Sequence, residues 1–208
     1  TEEDMKMKRK VITALLAATM VASLAVGCGN KGGDSKSDSS KSSSSDEITI
    51  GFSQVGAESD WRTANSESMK STFSEKNGYK LIFDDAQQKQ ENQITAIRNF
   101  IQQDVDYIVL APVTETGWDT VLKEAKDADI PVIIVDRMID VSDDSLYTAW
   151  VGSNFKMEGQ KACEWLNAYA EAKGMKEVNI AHIQGTIGAS AQIGRTEGFD
   201  EAVEAHDN

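Results

Sequence analysis

Four short apolar runs punctuate the chain between residues 46 and 137: "EITIGFS", "YKLIFDD", "DYIVLAP" and "IPVIIVDR". Each is rich in Ile and Val and bounded by polar or turn-forming residues, the pattern of a buried β-strand. Between the runs the apolar period changes. Ala64, Met69 and Phe73 follow the first strand, Ile94, Ile97 and Ile101 the second, and Trp118, Val121, Leu122 and Ala125 the third. These spacings put each set on one face of a helix. Strand and helix in alternation imply an α/β fold with a parallel sheet covered on both faces. Further on, "TAWVGSN" reads as a fifth strand, followed by a helix from about Lys156 to Lys173, a strand "EVNIAHIQG", and a helix from about Ser190 to Ala205. No strand follows that last helix before Asn208, so the second α/β unit is expected to be incomplete.

The first residues stand apart from this pattern. Lys6, Lys8, Arg9 and Lys10 precede the apolar run "VITALLAATMVASLAV", which meets "GCGN". A basic stretch, an apolar stretch and small residues before a cysteine form the layout of a secretory signal. The run is short for a membrane-spanning helix, which needs about 20 apolar residues, although an uncleaved anchor is the competing reading. "AVGC", ending at Cys28, resembles a lipoprotein signal-peptidase motif, in which the cysteine is lipidated and becomes the mature N-terminus. "TEED" fits no targeting logic, which points to Met5 or Met7 as the start. Residues 1–28 are thus expected to be a signal peptide. Residues 29–46, Ser-rich and without apolar side chains, should form a flexible tether.

Charge narrows the function classes. The 208-residue chain carries a formal net charge of −13, which argues against nucleic-acid binding, since that needs clustered Lys and Arg to release counterions. With Cys28 lipidated, Cys163 is the one cysteine left, so no internal disulfide is expected. Cys163 shares a helical stripe with Gly159, Ala162, Leu166 and Ala170 and reads as a small buried hydrophobe.

Ligands of open parallel sheets bind outside the carboxyl ends of the strands. Following the strands in turn, that rim receives Ser53 and Gln54, then Asp84, Asp85 and Gln87, then Pro112 and Thr114, then Asp136 and Arg137. Trp61 and Arg62 lie just beyond the first strand. An aromatic plane suits the C–H face of a sugar ring, while Arg and Asp supply forked donors and paired acceptors for its hydroxyls. Trp61 could instead be a core residue of its helix, but it stands at the very start of the apolar stripe. Asp136–Arg137 could be a solvated pair, but it closes the fully apolar "PVIIV". Arg195 lies among Ala191, Phe199, Ala202 and Val203 and needs either a partner or a stem that covers apolar surface with its head in water.

Catalytic patterns are scarce. There is no G-x-S-x-G, H-E-x-x-H or C-x-x-C. Asp84, Asp85 and Asp136 could serve as a glycosidase pair, though nothing in their spacing selects that. "DVSDDS" lacks the Gly and terminal Glu of a calcium loop, and "GTIGAS" lacks the Lys of a phosphate loop and reads as a turn into a helix. His182 reads as core. No cofactor, metal or catalytic group is expected, and binding without reaction is the simpler account.

The stretches "IGFSQVGAESDWR", "DDAQQKQENQITAIRNFI", "DYIVLAPVTETGWDTVLKEAKDADIPVIIVDR" and "IQGTIGASAQIGRTEGF" resemble the sugar-binding proteins of ABC importers, in the ribose- and galactose-binding group and most closely its galactofuranose-binding branch. The resemblance implies a type I periplasmic-binding-protein fold: two doubly wound parallel-sheet lobes joined by a hinge, with residues 47–152 as the first lobe and 153–208 as part of the second. It implies Trp61 as a stacking platform, Arg62, Asp136 and Arg137 as hydroxyl partners, and Arg195 as a partner from the second lobe; Ser53, Gln54 and Gln87 are weaker carry-overs. It further implies a monomer that hands a monosaccharide, with a furanose hexose or pentose preferred, to an ABC permease; with the lipoprotein motif at Cys28, the expected place is the outer face of the cell membrane, held by lipid, or else the periplasm. Members of this group continue well past the point reached by Asn208. Two rivals are a cell-surface carbohydrate hydrolase and a sugar-sensing regulator of the same fold; regulators of the lactose-repressor type carry a helix-turn-helix where this chain has its signal and tether.

Overall fold

The computed structural model describes residues 47–206. The expected signal peptide, Cys28 and the expected Ser-rich tether fall outside them. Among the described residues no helix is long and apolar enough to cross a membrane.

Five strands form one wholly parallel sheet: β1 Ile48–Gln54, β2 Tyr79–Asp85, β3 Tyr107–Leu110, β4 Val132–Asp136 and β5 Ala149–Gly152, in spatial order β2-β1-β3-β4-β5. The helices between them are α1 Asp60–Thr72, α2 Gln90–Gln102 and α3 Asp119–Asp127, and two more follow, α4 Phe155–Lys173 and α5 Ser190–Glu204. Alternation along each strand feeds two separate cores. Ile50, Phe52, Val109 and Val113 face one side, where Met69 of α1 and Phe73, just past its end, cover them. Ile108, Leu110, Val132 and Ile134 face the other, under Ile97 and Phe100 of α2 and Trp118, Val121 and Leu122 of α3. The sheet is therefore doubly wound, as its apolar runs predict. Because β1 sits between β2 and β3, the winding reverses at its carboxyl end, which is where such sheets open a crevice.

The helix caps follow the sequence chemistry. The Ser59 hydroxyl accepts from the Arg62 N–H at 3.2 Å and opens α1, and the Asn154 side chain accepts from the Met157 N–H at 3.0 Å and opens α4. Gly174, left-handed with φ 63°, closes α4 where a side chain would be strained.

The expected strand "EVNIAHIQG" is not formed. Residues 175–185 run without a ladder, leaving Ile180 and Ile183 exposed. The alternation of Val178 and Ile180 is real, but a strand exists only by pairing, and among the described residues no strand lies beside it. His182, expected in the core, is accordingly exposed. Cys163 is buried as expected, on the face of α4 turned toward α5.

Backbones of α4 and α5 meet through glycines. A Cβ on Gly159 would collide with the Arg195 carbonyl, and one on Gly198 with the Lys156 carbonyl. Lys156–Glu201, at 2.7 Å, and Arg195–Glu158, at 2.9 Å, flank the crossing. Gly198→Ala is therefore expected to push the helices apart and cost about 1–3 kcal/mol of stability, the range for overpacking a close contact. Urea denaturation monitored by circular dichroism measures it; an unchanged midpoint would mean that the crossing is soft.

Candidate functional site

The site assembles at the carboxyl ends of β1, β3 and β4, and its centre is Arg62. This residue sits in the first turn of α1, buried to 3% exposure. Its Nη2 donates to Asp136 Oδ2 at 2.8 Å and its Nε to Glu58 Oε1 at 3.2 Å. The third nitrogen, Nη1, is buried and has no partner among the described residues. A buried guanidinium that lacks one bond carries a desolvation cost of about 1–3 kcal/mol unless a ligand or water fills the gap. Above it, the ring of Trp61 lies with the Arg62 Cζ 4.9 Å from its centroid. Trp61 itself is 58% exposed, so it is no core residue of α1: one face rests on a cation and much of the ring meets solvent.

Asp136 ends β4 in the left-handed region, φ 64°. A non-glycine residue held there stores strain, and such residues concentrate at functional sites. The next residue, Arg137, donates from Nη1 to the Val113 carbonyl at 3.0 Å and has no carboxylate bound to it among the described residues. Burial lowers its pKa first, and the nearby charges of Arg62 and Arg195 lower it further, against opposing contributions from Asp136 and Glu58. Arg195 arrives from α5. It pairs with Glu158 at 2.9 Å and lies over the Phe155 ring, 4.9 Å from the centroid. It is half exposed, so its stem covers apolar surface while its head finds a partner.

Arg62 and Asp136 are thus brought together, with Trp61 against Arg62 and Arg137 next along the chain, while Arg195 is held by Glu158 and Phe155 and bears on Arg137 through its charge. The weaker candidates fare differently. Gln54 is fully buried and its amide is engaged internally, donating to Asn65 Oδ1 at 2.8 Å and Ser66 Oγ at 3.0 Å and accepting from the Val55 N–H. It fastens β1 to α1. Ser53 is buried with an unpartnered hydroxyl. Gln87 is exposed on the loop after β2, with φ 52° and its N–H donating to Asp85 Oδ1.

Three residues of the site escaped the sequence reading. Glu58 and Glu158 hold Arg62 and Arg195. Gln93 of α2, fully buried, spans the point where the winding reverses, donating to the Ala111 carbonyl at 2.7 Å and accepting from the Val113 N–H at 2.9 Å. The signal for it was present: Gln93 keeps helical step with Ile97 and Phe100, a polar residue on an apolar stripe. The loops at this rim are also tied to the start of α5. Met138 N–H donates to Ser190 Oγ at 2.8 Å, and Glu115 N–H to the Gly188 carbonyl at 2.9 Å.

A family model described as a periplasmic binding protein domain matches residues 50–208. The chain is 52% identical over 156 residues to a galactofuranose-binding protein of Escherichia coli, covering 75% of this chain and 48% of that protein. A fructose import binding protein of Bifidobacterium longum is 35% identical over 167 residues, 78% of this chain and 49% of its own. Among solved structures, the periplasmic binding component of the arabinose ABC transporter of Shewanella sp. ANA-3, bound to α- and β-L-arabinofuranose, superposes with a TM-score of 0.71 at 52% identity, covering 77% of this chain and 52% of that one. The chain spans about half the length of the curated relatives it matches.

Two outcomes follow from the burial of these groups. Arg62→Met removes the cation while leaving Asp136 and Glu58 in place, and should lower stability by about 3–5 kcal/mol, as breaking a buried pair does; a chemical denaturation curve superposing on that of the unmodified protein would show the pair to be solvated. Asp84, whose Oδ1 is buried without a partner, has its pKa raised by desolvation and then by Asp85. A carboxyl whose folded pKa exceeds its unfolded one loses stability as pH rises from the unfolded value through the folded one. Asp84→Asn should therefore match the unmodified protein below the ordinary aspartate value of 3.8 and become the more stable of the two as pH rises above it, read from urea midpoints across pH.

Proposed function

We propose, from the premise that this chain belongs to the family of periplasmic binding protein domains, that it captures a monosaccharide in furanose form outside the cytoplasm for delivery to an ABC importer. The observation that carries this reading is Arg62: buried, fixed by Glu58 and Asp136, with one donor left unpartnered beneath an exposed tryptophan. A sugar offers what that arrangement lacks, a ring face for Trp61 and hydroxyl oxygens for Arg62 Nη1 and for Arg137. Asp136 and Arg195 border the same space, while Ser53 and Gln87 lie farther along the rim. Gln54 supports the site by holding β1 against α1. Relatives named for galactofuranose, arabinofuranose and fructose support a small, neutral, polyhydroxylated ligand.

The same reading extends to the rest of the chain. Residues 47–152 form the first sugar-binding lobe and 153–208 contribute α4, α5 and Arg195 from the second. The protein acts as a monomer, anchored through a lipidated Cys28 and a Ser-rich tether, and its protein partner is the importer's permease. It carries out no chemistry on the sugar.

Titration calorimetry with D-galactose, L-arabinose and D-fructose tests the proposal. Trp61→Ala is expected to weaken binding by about 1–3 kcal/mol, the loss of one buried aromatic contact, with an unchanged melting temperature because the ring is largely exposed in the free protein. Equal affinity in Trp61→Ala would remove Trp61 from the sugar site. Incubation with pentose and hexose oligosaccharides tests the rival: release of monosaccharide would point to a hydrolase instead.

A further inference from the structure

Asp136 owes its place to a neighbour that the sugar reading does not include. In β4, Ile133 and Val135 face the α1 side of the sheet while Ile134 faces the α2 and α3 side. Strict alternation would leave Asp136 with Ile134, on the side away from α1. Its carboxylate nevertheless lies 2.8 Å from Arg62, a residue of α1. What breaks the alternation is the left-handed φ of 64° at Asp136, a conformation that an aspartate does not keep unless its surroundings hold it.

Those surroundings are on β5. Gly152 pairs in register with Asp136, and Trp150 with Ile134. Trp150 and Gly152, two residues apart, share a face of the strand, and the Trp150 indole extends over Gly152 to donate from Nε1 to the Asp136 carbonyl at 3.2 Å. A Cβ on Gly152 would collide with the Asp136 carbonyl and would stand 2.5 Å from Trp150 Nε1. Any side chain at 152 therefore blocks the approach that the indole makes. The glycine here is an opening for a hydrogen bond rather than a flexible joint.

We propose that Trp150 is a positioning residue of the sugar site: its indole N–H, admitted by the bare backbone of Gly152, pins the Asp136 carbonyl and so aims the Asp136 carboxylate at Arg62. This rests on the assignment of Asp136 and Arg62 to sugar binding. Trp150 acts on the ligand through Asp136 and does not touch it. Its value lies in the nitrogen and not in the ring, which separates it from Trp61, whose value is the ring face.

Trp150→Phe keeps a smaller aromatic ring and removes the donor. Titration of the protein with L-arabinose and D-galactose should show Trp150→Phe binding about 5- to 10-fold more weakly, the worth of one hydrogen bond, with a melting temperature close to that of the unmodified protein. In an Asp136→Asn background the same substitution should cost less than twofold, because the group it positions is already altered. A crystal structure of sugar-free Trp150→Phe should show φ at Asp136 outside the left-handed region or the Arg62–Asp136 bond opened. Unchanged affinity together with an unchanged Asp136 backbone would overturn the proposal, and so would an equal loss in both backgrounds, which would make Trp150 a direct contact. If the unmodified protein binds no sugar, the sugar reading falls, while the sugar-free structure still decides whether Trp150 sets Asp136.

Discussion

The buried contact between Arg62 and Asp136 joins residues 74 positions apart, and the rim of the sheet is organised around it. Arg62 opens the first helix and Asp136 closes the fourth strand, so one ion pair ties the start of the chain's first α/β unit to the end of its third. Because Arg62 is almost completely buried, neither partner can be lost without stranding the other. The Glu58 carboxylate, one turn earlier, takes the Nε edge and leaves the guanidinium fixed in plane with Nη1 unspent. Preorganisation of this kind is what a discriminating site needs: a donor already desolvated and oriented gives up no further rotamer freedom when a hydroxyl arrives.

Around that pair the fold uses buried amides as fasteners. Gln54 links β1 to α1, and Gln93 links α2 to β3 at Ala111 and Val113. Both occupy positions where the apolar period asks for a hydrocarbon. An amide costs stability when buried, but fully bonded it fixes a backbone more sharply than packing does. The backbone beside Ser53 and Thr114 is held in this way, and both residues carry buried hydroxyls without a partner among the described residues.

The sheet and its helices were legible in the sequence because their determinants are local. Period-2 runs such as "PVIIV" and the stripes of α2 and α3 need no partner to be seen, and the rule that parallel sheets bind at their carboxyl ends carries Trp61, Arg62, Asp136 and Arg137 to one rim without a structure. What failed depended on distant company. "EVNIAHIQG" has a strand's pattern, yet no strand beside it here. Glu58, Glu158, Trp150 and Gly152 read as ordinary surface or strand residues, because each draws its role from a side chain that the fold brings close. Gln54 was read correctly as lying at the rim, but its position in the alternation of Ile50 and Phe52 already turned it toward α1 and away from the crevice.

The charge of the site bears on the kind of ligand it suits. Three guanidinium groups, Arg62, Arg137 and Arg195, gather on a chain whose net charge is −13, which at first sight suggests an anion. The carboxylates reverse that impression. Arg62 is held by Glu58 and Asp136, and Arg195 by Glu158, so three positive charges meet three negative ones and the cluster is close to neutral. Of the three, Arg137 has no bound carboxylate among the described residues, and burial and the charges of Arg62 and Arg195 already act against its charge. An anionic ligand would gain from Arg137 but would meet Asp136 and Glu58 around Arg62, where like charges in a poorly solvated setting repel strongly. A neutral polyol meets no such opposition: its hydroxyls can accept from Arg62 Nη1 and Arg137 and donate to Asp136, leaving the charge balance of the cluster undisturbed.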